Sequence, residues 1–344
     1  MKKHSIQAIF LLILLAVIYF RIQHEQTKPI EETRLALGTF VTIDIQDKIK
    51  NAKQILDSTF SLIDELEATY SLHIPQSEIN ALNAAKDTFR ISEGMEELLS
   101  SALQISDLTD GAFDITVGKV LALYDFIDCK RPSKEVIEEN LPFVSFEVIE
   151  VSNNMYYKKS PNIVIDAGGI AKGFIIDEVI SFLKSNGIKY AALNAGGDLY
   201  VMENPKTKSW KIGIQHPRKQ QEVFGTIEVK NNAVVTSGDY EQFFMENSVR
   251  IHHILDPRTG LPSYSSVSVT VIAPDATTAD GLCTALFVMG PDSGIDLVNT
   301  IDNVEALIVY ENNSETLGYV FSNNFDKYHF VLLDSTAQYS RIKK

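Results

Sequence analysis

The chain has 344 residues, with 31 Lys and Arg against 45 Asp and Glu, for a net charge of −14. That balance argues against a nucleic-acid surface, which needs clustered positive charge. Hydrophobic residues make up 45% of the chain, enough for one large domain or two closely packed ones.

Residues 1–22 place Lys2 and Lys3 ahead of a run over 6–20 that is apolar apart from Gln7 and is closed by Arg21. No small-residue cleavage site follows and no cysteine is there to be acylated. The segment therefore reads as an uncleaved anchor in the cell inner membrane, marginal in length, with the body on the periplasmic, extracytoplasmic side. A cleaved secretory peptide is the alternative. Residues 23–33 read as a polar linker, 34–335 as the catalytic body and 336–344 as a polar, basic tail.

In chain order the patterns predict a strand over 40–45, then a helix over 52–68 carried by Ile55, Leu56, Thr59, Phe60, Ile63 and Leu66. Ser92 can cap a helix reaching about 107, and a short helix follows over 119–123. Strands are expected over 143–151 and 163–165, a helix over 174–183, and a strand pair over 190–193 and 199–202 about Gly196 and Gly197. Further strands are read over 211–215, 224–230, 233–236 and 267–273. Helices over 278–289 and 294–300 and strands over 305–310 and 319–322 complete the body. Strands and helices without strict alternation imply an α+β fold, and no internal repeat is evident. Of the two cysteines, Cys283 falls on a core-facing helix position and Cys129 in a loop, so no disulfide framework is expected.

The most informative segment is Thr277-Thr278-Ala279-Asp280-Gly281-Leu282-Cys283-Thr284. Asp280 and Thr284 stand four residues apart, which stacks them on one helix face, and two oxygen donors so placed suit a hard cation such as Mg²⁺. The alternative is structural: Thr278 caps the helix, Asp280 favours its N-terminal dipole and Thr284 is core. Six other segments pair tight turns with polar residues. They are Leu37-Gly38-Thr39-Phe40, Gly111-Ala112-Phe113-Asp114-Ile115-Thr116-Val117-Gly118, Ile165-Asp166-Ala167-Gly168-Gly169-Ile170-Ala171-Lys172-Gly173, Leu193-Asn194-Ala195-Gly196-Gly197-Asp198, Thr236-Ser237-Gly238-Asp239-Tyr240, and His252-His253-Ile254-Leu255-Asp256-Pro257-Arg258-Thr259-Gly260.

Gly168 and Gly169 let backbone approach phosphates at a helix start, or serve only to turn the chain. Lys172 adds positive charge there, or lies on a solvated helix face. Asp166 can accept hydrogen bonds from a ligand, or cap the helix. Phe113 by itself reads as core, and Asp114 as the closure of a turn with Thr116. His253 is the candidate proton-handling group, or a backbone-bonded core histidine. If its segment is a strand, His252 and His253 point to opposite faces and only one enters a site. Asp239 and Asp256 can brace loops, with Arg258 paired to one of these carboxylates rather than to a ligand.

In order from about 37 to about 294, these segments resemble the ApbE-like family of FAD:protein FMN transferases. The resemblance implies an α+β fold with mixed strands and helices, a T-fold-like core and an FAD site between two closely packed subdomains. It implies transfer of FMN from FAD to a threonine hydroxyl of an acceptor protein, with AMP released. It implies a Mg²⁺ held by Asp280, Thr284 and the Gly169 carbonyl, with His253 and Asp280 catalytic. FAD contacts carry over to Leu37, Ser71, His73, Ala112, Phe113, Asp114, Asp166, Lys172, His253 and Ile254. The chain departs from the family pattern at Leu37, His73, Ile115, His252 and Tyr124-Asp125-Phe126. The implied partners are FAD and an exported or membrane-bound bacterial redox protein. An FAD pyrophosphatase giving FMN and AMP, or a non-catalytic FAD-binding protein, are the alternatives. A nicotinamide-type redox enzyme is disfavoured, since no Gly-x-Gly-x-x-Gly follows a first strand.

Overall fold

The computed structural model describes residues 12–15, 17, 28–313 and 316–340. Most of the anchor expected over 1–22, and the end of the basic tail, lie outside the described residues. Among the described residues no helix is long and apolar enough to cross a membrane.

Nine of the described strands form the central sheet: β1 (Ile30–Ala36), β2 (Thr39–Ile45), β3 (Ala191–Ala195), β4 (Asp198–Val201), β5 (Asn232–Gly238), β6 (Ser268–Ala273), β7 (Glu305–Asn313), β8 (Thr316–Phe321) and β9 (Gln338–Tyr339). They lie side by side in chain order, each antiparallel to the last, until β9 joins β8 in parallel. Long insertions leave between β2 and β3 and between β5 and β6, yet the chain returns to the neighbouring position each time.

Alternation along the strands assigns the two faces. Val41, Ile43 and Ile45 of β2 are buried on the inner face, where five helices pack: α1 (Ala52–Tyr70), α2 (Glu93–Leu108), α3 (Ala171–Ser185), α4 (Ala276–Met289) and α5 (Pro291–Val298). On the outer face Val201, Val234, Ile272 and Leu307 pack against Ile212, Phe224 and Ile227 from the small sheet formed by Trp210–Gln215, Val223–Val229 and Val331–Leu332. Every residue of β6 is buried because both of its faces are covered. α4 is apolar almost all round for the same reason, wedged between β5, β6 and the other helices. A satellite cluster of Val120, Tyr124, Ile137, Phe244, Ile251 and Leu255 ties the two insertions together. The architecture is the α+β fold expected.

Several local expectations are corrected. Residues 143–148 form no strand: Pro142 lies in the 3₁₀ turn Leu141–Phe143, and Phe146–Val148 makes another, with Phe146 N donating to Asp114 Oδ2 at 2.8 Å. Ile149–Ser152 alone is strand. Residues 163–165 join no multi-residue strand: Val164 makes only an isolated parallel bridge with Val117, and the Asn83 amide bonds both Ile165 N (2.7 Å) and Ile165 O (2.9 Å). Residues 30–33, read as the end of a linker, open β1, and 338–339 of the tail form β9. The β1 pattern is hidden in the sequence because charged residues turn inward: the Arg34 guanidinium lies 4.3 Å from the Phe60 ring centroid and Nε donates to Glu32 Oε1 at 2.7 Å. α4 begins earlier than expected and is capped by Asp275, whose carboxylate accepts from Thr278 N at 2.7 Å, so Thr278 is not the cap.

Candidate active site

The site begins where α3 and α4 touch. Gly173 N donates to Asp280 Oδ2 at 2.9 Å, and a Cβ on Gly173 would stand 2.2 Å from the Ala276 carbonyl oxygen. Only glycine permits that approach. Asp177, one turn further along α3, accepts from Ala276 N and Thr277 N, both at 2.8 Å, and from Thr277 Oγ1 at 2.6 Å. This clamp satisfies amides that α4 leaves open at its N-terminus and fixes the register of the two helices.

That register brings the sequence candidates together. A Cβ on Gly169 would lie 2.9 Å from Thr284 Oγ1 and 3.3 Å from Phe113 Cε2, so Gly169 backbone, the Thr284 hydroxyl and the Phe113 ring converge. Asp280 Oδ2 is occupied by Gly173 N, which leaves Oδ1 as its open oxygen. Asp280 and Thr284 share one face of α4, as their spacing predicts. Among the described residues no three His, Cys, Asp or Glu side chains are grouped to hold a metal ion. Asp280 and Thr284 instead offer one carboxylate and one hydroxyl, both hard oxygen donors.

Charge is crowded at this point. Lys172 Nζ donates to Asp198 Oδ2, and the Asp198 carboxylate is buried at the start of β4. Burial works against the Lys172 ammonium, but Asp198 and then Asp280 outweigh it and hold it firmly protonated. Asp280 is pushed well above the usual carboxylate range by burial and by Asp198, with Lys172 opposing. Burial raises Glu241, while Lys172 lowers it and Asp198 raises it further. His253 is lowered by burial and by the Lys172 charge, so its imidazole is neutral at neutral pH. Lys172, Asp198, Asp280, Glu241 and His253 thus share one electrostatic neighbourhood.

The tautomer of His253 follows from its bonds. Both its backbone N–H (3.1 Å) and Nδ1 (3.2 Å) face the Gln242 carbonyl oxygen, which only accepts. Nδ1 therefore carries the proton and Nε2 keeps a free lone pair. His252, the last residue of the strand Val249–His252, points the other way, fully buried between the rings of Tyr264 and Phe287, and His253 follows it in a bend.

The other FAD candidates lie along the same end of the sheet. Leu37 and Gly38 form the two-residue turn joining β1 to β2, both with positive φ (54° and 67°), and Leu37 N donates to Glu67 Oε2 at 2.9 Å. Glu67 lies one turn from the end of α1, where Ser71 Oγ accepts from His73 N at 3.2 Å. His73 in turn lowers Asp166, whose carboxyl is otherwise raised by burial. Asp166 N donates to Ile115 O at 2.7 Å, and Asp166 Oδ1 accepts from Gly168 N at 2.7 Å; it turns the loop and does not cap α3.

Three candidates are held within the scaffold. Asp114 is buried and accepts from Thr116 N (2.8 Å), Thr116 Oγ1 (2.7 Å) and Phe146 N, so it closes a turn. Ala112 and Ile254 are buried in the main core. Asp256 is held by Arg258 through Nε (2.8 Å) and NH2 (2.9 Å), the structural pairing expected. Asp239 braces its loop, but through a residue the sequence does not suggest: Arg218 donates NH1 and NH2 to its two oxygens at 2.7 and 2.8 Å. Asp198, Glu241, Asp177 and Arg218 are not among the sequence-derived site candidates. Asp198 alone carries a signal, since it closes the Gly196-Gly197 segment.

Where α3 and α4 meet at Gly173, one open carboxylate, one hydroxyl and a paired lysine lie together, with the neutral His253 in the same electrostatic neighbourhood. The chain belongs to the ApbE family, whose model matches residues 37–308. It is 32% identical over 282 residues to the FAD:protein FMN transferase of Vibrio cholerae, covering 78% of this chain and 84% of that protein. It is 29% identical over 307 residues to the Haemophilus influenzae protein of the same name, covering 84% and 89%. Among solved structures, the ApbE protein of Thermotoga maritima superimposes with a TM-score of 0.80 at 33% identity, covering 88% of this chain and 99% of that one. The flavin transferase ApbE of Vibrio cholerae gives a TM-score of 0.77 at 28% identity, with the same coverage.

Proposed function

We propose that this protein transfers FMN from FAD to a threonine hydroxyl of an acceptor protein, releasing AMP. The observation that supports this most directly is the convergence of Gly169, Asp280 and Thr284 beside Lys172 and His253. In the reaction the threonine oxygen attacks the FMN-side phosphorus, the bond from that phosphorus to the bridging oxygen breaks, and AMP departs with that oxygen. The hydroxyl proton passes to Nε2 of His253, the lone pair that the Gln242 carbonyl keeps available. Lys172, braced by Asp198, places positive charge where the diphosphate lies. Gly168 and Gly169 precede α3 and admit the phosphates to its N-terminus.

Asp280, Thr284 and the Gly169 carbonyl would hold a Mg²⁺. They fit it as hard oxygen donors with one open carboxylate oxygen. When bound, such an ion would neutralise phosphate charge and orient the diphosphate. The apolar run over 6–20 and its basic flanks support a membrane-tethered body outside the cytoplasm, and so an acceptor among exported or membrane-bound redox proteins.

The test is incubation of the full chain with FAD, Mg²⁺ and candidate acceptors, followed by mass spectrometry. An FMN-sized adduct on threonine with equimolar AMP, lost on chelation, is expected. Free FMN alone, with a competent acceptor present, would replace the transferase by a pyrophosphatase. FAD recovered intact would leave a binding protein.

A further inference from the structure

The residues assigned to the nucleotide lie at the sheet end on its helical side. A cavity on the opposite side of the sheet comes up to the same end, where Gly197 in its lining is followed by Asp198, the partner of Lys172. It is a cavity of about 330 Å³ on the outer face of the sheet, floored by Asn194, Leu199 and Thr236, walled by Trp210 and Gln215, and ending at Glu241. Glu241 is the junction, because Gln242, the next residue, holds His253 through its carbonyl oxygen, with backbone N–H at 3.1 Å and Nδ1 at 3.2 Å. Gly196 and Gly197 form one lip, and a Cβ on Gly197 would meet nothing within 4 Å. The cleft is open there.

The lip continues onto an apolar rim. Phe40 O accepts from Gly196 N at 3.2 Å, and Phe40 pairs across the hairpin with Leu35. These two side chains are 70% and 73% exposed on the outer face of β1 and β2, which begins the sheet. Among the described residues, the only formal charges lining the cavity are Lys211 and Glu241, which cancel. A second anionic nucleotide would find no net attraction there. An uncharged extended backbone would find polar groups on the floor and apolar surface at the rim.

We propose that this outer-face groove, from the Leu35–Phe40 rim to Glu241, receives an extended segment of the acceptor protein and delivers its threonine to Lys172 and Asp198. The proposal rests on the transferase reading. It separates the two substrates: the nucleotide enters on the helical side and the polypeptide from the outer face. The two meet at the end of the sheet.

The probe is a library of short peptides, each with one central threonine, incubated with the full chain, FAD and Mg²⁺ and read by flavin fluorescence and mass. Two variants interrogate the groove away from the reacting groups: Gln215→Trp, which fills it, and Leu35→Ser with Phe40→Ser, which removes the rim. Peptides flavinylated by the wild type should show KM raised at least about tenfold in both variants. FAD affinity should be unchanged. Equal KM in wild type and both variants would overturn the groove while leaving the transferase intact. Labelling of no peptide, with a folded acceptor still labelled, would also overturn recognition of an extended segment. Free FMN without any adduct on peptide or protein would instead remove the transferase reading beneath it.

Discussion

The two faces of the central sheet use glycine for opposite ends. On the helical face Gly173 is pressed so close to α4 that a methyl group would sit 2.2 Å from a backbone oxygen. On the outer face Gly197 has nothing within 4 Å of its missing Cβ. The first glycine closes space so that Asp280 and Thr284 reach Gly169; the second leaves space open beside Asp198. A site that must grip a small charged ligand while admitting a polypeptide needs both. On the closed side burial and neighbouring charges act together on Asp280, Lys172 and His253.

Removing the open carboxylate from the closed side should have the largest effect. Asp280→Ala is expected to lower transfer by about a thousandfold or more, since phosphate neutralisation is worth several kcal/mol, while the chain still folds. Isotope-labelled FAD turnover measures this, and near wild-type turnover would dissolve the assignment. His253→Ala should follow, at about a hundredfold to a thousandfold on turnover with FAD affinity retained. A loss of FAD affinity without a loss of turnover at saturation would make His253 a binding group instead.

Gly173→Ala tests the packing rather than the chemistry. The added methyl should destabilise the protein by about 3 kcal/mol by forcing α3 from α4, with Mg²⁺ affinity falling alongside. Unchanged urea denaturation would show that the helices do not need this contact. The equivalent insertion at the open Gly197 would be resisted by its φ of 105° rather than by neighbours, so the two glycines should fail for different reasons.

The smallest effect expected concerns His252, the histidine on the buried side of its strand. Burial pushes it down to about 4, with His253 adding to the shift, whereas an unfolded histidine titrates near 6.5. Between those values the unfolded chain binds the extra proton, so stability is full above about pH 6.5 and falls as the pH drops towards 4. From pH 7 to pH 5 the loss should be about 2 kcal/mol. Urea titrations at the two pH values should show it in the wild type and not in His252→Leu. An equal loss in both would place the pH response elsewhere.

Features set by local spacing are legible in the amino-acid order itself. Asp280 and Thr284 fall on one face because helices repeat every 3.6 residues, and His252 and His253 part at the end of their strand. Cys283 is buried as its helical position suggests, its Sγ 3.0 Å from Val269 O, and burial pushes the thiol up to about 12. The Arg258–Asp256 pair is also local. Expectations fail where a distant side chain takes up backbone groups and pairing shrinks to a single bridge, as Asn83 and Val117 do for the segment at 163–165, or where charged residues turn inward, as in β1.

Which residue types share a face, where the chain turns tightly and which oxygen donors stand a helical turn apart are thus properties of the amino-acid order alone. What those faces meet is settled by folding in three dimensions. Lys172 finds Asp198 across 26 residues, Arg218 finds Asp239 across 21, and Asp177 clamps Thr277 across 100. Backbone geometry is periodic and can be read from neighbours, whereas these partnerships depend on how the long insertions between strands of one sheet are folded back onto it.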